Sequence, residues 1–200
     1  FIAAHGPATP QERWEEMGGY SPATLAAEIA GLVAAADLAR QSGDQASATA
    51  WLATADEWQR QLKNWTFTTT GPLGDGRYFL RLTEQGDPNA ATIIRIGGLN
   101  VDQRRVVDAS FLELVRLGVL APQDAEVTAT LPEIDLAIRA QTPKGFSWYR
   151  YPGDIYGEES PTNSVLKKGG PWPLLTGERG VYALASSDRA TAASLLHTLE

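Results

Sequence analysis

Two hundred residues with 43% hydrophobic content suffice for one ordinary globular core. A net charge of −7 without basic runs argues against a nucleic-acid or anionic-membrane surface, and no apolar run is read as reaching the roughly 18–20 residues that span a bilayer. With no cysteine, disulfides, thiolate metal sites and thiol nucleophiles are all excluded.

Phe1 to Pro7 carries no initiator Met, basic region or signal core, and the last residues, 194–200, stop inside an amphipathic helical pattern with no Gly or Pro. Both ends are therefore expected to be cut from something longer, and the compartment is left open. Ser21-Pro22 is a helix start, Ser to cap the free N–H groups and Pro to fill the first helical position. Leu25, Ile29, Leu32, Val33 and Ala36 follow at helical spacing, and Gly43 closes that helix. A second helix is predicted over 45–64, with Trp51, Ala55, Trp58 and Leu62 as its apolar stripe, antiparallel to the first.

Residues 65–98 are β-prone around a Gly-rich turn at 71–76, so a small hairpin insertion is predicted there. Helix is expected again after Asp102 as far as Gly118, then from Pro122 with a restart or kink at Pro132. Residues 142–170 read as a long functional loop. A fifth helix is expected over 171–183 and a sixth after Asp188. The sum is an all-α chain of about six helices in three antiparallel pairs, inner elements backed by outer ones.

Three stretches carry the polar chemistry. Gln11 to Tyr20 packs Glu12, Glu15 and Glu16 with Arg13 and Trp14 ahead of a helix. Sugar hydrolysis needs a carboxylic acid that stays protonated near neutrality, and carboxylates crowded beside an apolar wall are how proteins make one. The competing reading is a solvated turn whose acids complement a helix dipole. Phe146 to Glu158 sets five aromatics beside Arg150, either as a binding surface or as rings folded back onto the core. Gly170 to Gly180 adds Trp172 and an adjacent Glu178-Arg179, read as a packing ion pair. No P-loop, dinucleotide fingerprint, nucleophile elbow or histidine pair is present.

These three stretches, in this order, resemble motifs of glycoside hydrolase family 15, the bacterial and archaeal glucoamylase and glucodextranase branch; residues 106–118 resemble the family as well. The resemblance covers essentially the whole chain. It implies about half of an (α/α)6 barrel, with residues 1–200 a partial catalytic domain truncated at both ends. It implies Glu15 as the general acid of an inverting, exo-acting hydrolase that releases glucose from nonreducing ends of α-glucans. Glu16, Arg150, Trp14 and Trp172 match substrate-binding positions, and Arg13 and Tyr151 are further substrate contacts. Neither metal nor cofactor is implied.

An inverting enzyme also needs a base, about 6.5–9.5 Å from the acid, to activate water on the opposite ring face. In the family it lies in a Trp-x-His-Ala-Glu-Tyr-like motif that residues 181–200 do not contain, so the 200 residues alone are expected to be inactive. The remainder of the parent domain is an expected partner, as is self-association through exposed apolar faces. The alternatives are a non-catalytic carbohydrate-binding or scaffold protein of the same fold, and a trehalase or glucodextranase of the same family.

Overall fold

The computed structural model describes residues 1–156 and 169–200. After a single turn of helix, α1 (Ile2–His5), two long helices dominate the N-terminal half: α2 (Pro22–Gln41) and α3 (Gln45–Thr66). They pack against each other along their length as an antiparallel pair. The turn between them passes through Gly43 at φ +86°, a conformation that only glycine adopts without strain. Leu25, Ala26, Ile29, Leu32, Ala36 and Ala39 form the buried stripe of α2, and Ala48, Ala55, Trp58 and Leu62 that of α3, at helical spacing; Val33, expected in the first stripe, is exposed, and Trp51, expected in the second, is half-buried. Pro22 holds the first position of α2, but the Ser21 side chain makes no capping bond; Asp44 caps α3 by accepting from Ser47 N–H. By length and composition α2 is apolar enough to cross a membrane, contrary to the sequence reading. Half of that stretch is buried inside the protein, as befits the central helix of a core.

The insertion resolves into two small antiparallel ladders. One pairs β1 (Phe67–Thr68) with β2 (Tyr78–Phe79) and the other β3 (Ile93–Ile96) with β4 (Leu99–Asp102). The helix expected from Asp102 to Gly118 is broken into two 3-10 turns, 103–105 and 109–112, and one α-turn, α4 (Glu113–Arg116). Asp102 and Asp108 are the reason: each side chain accepts from the backbone N–H two residues on, which restarts the chain instead of extending a helix. α5 (Ala125–Ile138) starts at Asp124, whose carboxylate caps Glu126, not at Pro122, and continues through Pro132 without a restart. The long loop expected over 142–170 opens instead on a hairpin, β5 (Arg139–Thr142) with β6 (Gly145–Trp148). Finally α6 (Pro173–Ala185) and α7 (Arg189–Leu199), the latter capped by Asp188, form a second helical pair.

One large apolar core joins α2, α3, α5, residues 107–119, Trp148, Leu175, Tyr182 and Leu195. A smaller cluster of Ile94, Ile96, Val101, Val106 and Tyr151 packs behind Trp14 and Met17, so the β3–β4 hairpin backs the acidic loop. On the outer side of the second helical pair Val181, Leu184, Leu196 and Leu199 are exposed and line an apolar groove of about 400 Å³.

Candidate active site

The acidic stretch is a closed loop. Thr9 and Gly19 exchange two backbone hydrogen bonds at its base, Glu12 N–H donates to Met17 C=O, and Glu15 N–H donates to Glu12 C=O at 2.8 Å. Gly19 sits at φ +140° with the Thr83 carbonyl so near that a Cβ would lie 2.3 Å from it, which fixes the loop base against residues 82–84. At the tip Glu15 has φ +59°, a left-handed conformation that costs a non-glycine residue on the order of 1 kcal/mol. Its side chain is exposed, and among the described residues its carboxylate takes part in no hydrogen bond or ion pair.

Every neighbour of Glu15 is tied down. Glu12, buried, accepts from Trp14 N–H at 2.7 Å and from Arg81 Nη2 at 2.5 Å. Arg13 forms a bidentate pair with Glu178 at 3.1 and 2.6 Å. Desolvation opposes the Arg13 charge, but the bonds and charge of Glu178 hold its pKa above the ordinary value. Trp14 donates its indole N–H to Asp108 at 2.9 Å. Glu16 accepts from Arg81 Nη2 at 3.0 Å and, through the same oxygen, from the Tyr151 hydroxyl; its other oxygen lies 3.6 Å from Arg150 Nη2.

Arg150 is the hub of the second stretch. Its Nε and Nη2 donate to the two oxygens of Asp154 at 2.7 and 2.5 Å, and the Asp154 bonds hold its pKa above the ordinary value. Four rings surround the guanidinium, those of Trp14, Tyr151, Tyr156 and Trp172, with centroids 5.1–5.3 Å from its central carbon. Trp172 is held by its N–H on the Trp148 carbonyl and meets Trp14 edge-on at 5.9 Å.

The structure thus brings Trp14, Glu15, Glu16, Arg150, Tyr151 and Trp172 into one neighbourhood. Two of the sequence-derived candidates have positions of their own. Tyr151 is 1% exposed and its hydroxyl is spent on Glu16; burial, then the Glu16 bond, pushes its pKa well up. Arg13 turns to Glu178 and lines an open depression of about 690 Å³ that includes neither Glu15 nor Arg150. The expected Glu178–Arg179 ion pair is absent: Glu178 takes Arg13, and Arg179 takes Asp135 at 3.1 Å. Gly157 and Glu158 lie outside the described residues.

Three residues of the neighbourhood, two of them inside stretches that carry the resemblance, have no role assigned from the sequence. Arg81 is 1% exposed and stacks 3.7 Å over the Tyr151 ring. Burial opposes its charge, yet Glu12 holds its pKa above the ordinary value. Its signal was an arginine inside the apolar run Tyr78 to Leu82. Asp108, fully buried, has its carboxyl pushed up by burial to about 6, against the bonds from Ser110 and Trp14 that pull it down. Asp154 was in plain view in the aromatic loop, four residues after its arginine. Among the described residues no group of three or more His, Asp or Glu side chains could hold a metal ion.

The model of "Glycosyl hydrolases family 15" matches residues 1–197. The chain belongs to this family. It is 52% identical over 195 residues to a glucoamylase of Clostridium sp. (strain G0005), an alignment that covers 96% of the chain and 28% of that enzyme. Its fold superposes on the crystal structure of a bacterial glucoamylase complexed with acarbose with a TM-score of 0.93 and 49% identity, over 99% of the chain and 30% of that structure. The chain therefore spans less than a third of the length of either relative. As a family 15 chain it folds as part of an (α/α)6 barrel.

Proposed function

We propose that these residues carry the general-acid side of an inverting glucoamylase-type hydrolase, with Glu15 as the acid. One observation carries the reading: Glu15 is an exposed carboxylate at the tip of a loop whose other charged side chains, Glu12, Arg13 and Glu16, are all held in ion pairs. A general acid must meet the glycosidic oxygen without first breaking bonds of its own, and Glu15 is the member of the loop that can. Trp14 and Trp172 form a wall on which a sugar ring can stack, while Glu16 and Arg150 present charge to its hydroxyls. Residues 1–200 are then a partial catalytic domain that lacks the base, consistent with a chain spanning 28–30% of its glucoamylase relatives.

The relatives support the proposed substrate class, one being named a glucoamylase and the other a bacterial glucoamylase complexed with acarbose. Nonreducing ends of an α-glucan would approach the Trp14–Trp172 wall, where Glu15 protonates the leaving oxygen while a carboxylate from elsewhere in the protein activates water. The exposed groove on α6 and α7 is a surface for the remaining helices of the same protein. The test uses the full-length protein that contains this chain. Glu15→Gln should abolish glucose release from maltotriose, by about three orders of magnitude or more on the scale of general-acid contributions, and leave acarbose binding measurable by calorimetry. Undiminished glucose release by that variant overturns the assignment.

A further inference from the structure

We propose that Arg81 is the positioning residue of the sugar-binding side of this site, acting through Glu16. The inference rests on the reading of Glu16 as a sugar-hydroxyl ligand. Arg81 is 1% exposed and enters from the chain following β2, where its backbone N–H donates to Val106 C=O. A single Nη2 group reaches both Glu12 at 2.5 Å and Glu16 at 3.0 Å. The same guanidinium lies against the face of Tyr151, whose hydroxyl donates to the Glu16 oxygen that Arg81 also binds. That oxygen of Glu16 is thus fixed from two sides, and its partner oxygen is left facing Arg150.

Neutralising Glu12 does not require this geometry. An isolated buried ion pair gives little net stability over apolar replacements of similar size. Here Arg81 also leaves Nε and Nη1 buried without a hydrogen-bond partner among the described residues. An arginine kept at such a cost in unsatisfied donors is explained by what its remaining group does: it holds Glu16 and, through the ring stack, Tyr151. Arg81 touches neither Glu15 nor a solvent-facing surface, so its effect belongs in sugar affinity and reaches the chemical step only indirectly.

The experiment is a double-mutant cycle in the full-length protein, read as the acarbose Kd by calorimetry, which requires no turnover. The perturbation is Glu12→Gln/Arg81→Met, which removes both members of the buried pair together; Arg81→Lys, which keeps the charge but loses the planar group that stacks on Tyr151, is run beside it. Each is measured with Glu16 intact and in a Glu16→Gln background. The expected result is a 10- to 100-fold weaker Kd with Glu16 intact, about as large as that of Glu16→Gln alone, shrinking to less than threefold in the Glu16→Gln background, with Arg81→Lys showing the same pattern at smaller size. Equal losses in both backgrounds would mean a general structural role and overturn the proposal, as would no loss with Glu16 intact. Should the paired variant fail to fold, the Arg81→Lys cycle decides on the same criterion. Failure of the catalytic reading is seen separately, as glucose release that survives Glu15→Gln; failure of the wild-type protein to bind acarbose removes the Glu16 reading and the proposal with it.

Discussion

Arg150 and Asp154 are joined by two parallel hydrogen bonds, Nε to Oδ2 at 2.7 Å and Nη2 to Oδ1 at 2.5 Å, four residues apart on a loop that has no regular secondary structure. The pair fixes the plane of the guanidinium, and that plane sets how Arg150 meets the four rings around it. Asp154→Asn removes the charge and one acceptor. Charge-assisted bonds are each worth about 1.5–3 kcal/mol, so acarbose affinity should fall about 10- to 100-fold while secondary structure is retained. Calorimetric Kd and circular dichroism check both halves of the statement.

Asp108 gives a pH-dependent stability whose sign can be worked out. Its carboxyl titrates at about 6 in the folded protein, against an ordinary value of 3.8. The folded state therefore keeps its proton while the unfolded chain loses it, so stability falls as pH rises from about 4 to 6; two units correspond to about 3 kcal/mol. Asp108→Asn has no such titration but sets an amide N–H where the aspartate accepts from Ser110 or Trp14. The variant should be less stable than wild type at pH 4.5, with the gap narrowing at pH 7.5. Thermal denaturation at the two pH values measures it, and a gap that widens with pH contradicts the account.

Glu28, half-buried on α2, has a carboxylate oxygen that is out of water without a hydrogen-bond partner among the described residues, and burial raises its pKa to about 7. The sign is the same as for Asp108: the stabilising neutral form is lost as pH rises from its ordinary 4.5 through about 7. Glu28→Gln should therefore raise the melting temperature at pH 8 and leave it nearly unchanged at pH 4.5. No gain at pH 8 would mean that Glu28 finds a partner when charged.

What the sequence by itself determined is mainly what local periodicity determines. The apolar spacing of α2, α3, α6 and α7 could be read because a helix exposes its pattern within a window of four residues. The three motif stretches, with Trp14, Glu15, Glu16, Arg150, Tyr151 and Trp172, were legible for a different reason, their resemblance to a known family. Local chemistry that competes with a period was harder to see: Asp102 and Asp108 each redirect the backbone within two residues and break an otherwise helical stretch into turns.

The partners of the charged groups only the tertiary structure decided. Glu12 finds Arg81 across 69 positions, Glu16 finds Tyr151 across 135, and Arg13 finds Glu178 across 165, which separates Glu178 from the arginine beside it in sequence. Hydrogen bonds and ion pairs act over a few ångströms, and which side chains come that close depends on the path of the whole chain. The sequence shows Glu15 in a crowd of charges; the fold pairs off the others in its loop and leaves Glu15 exposed.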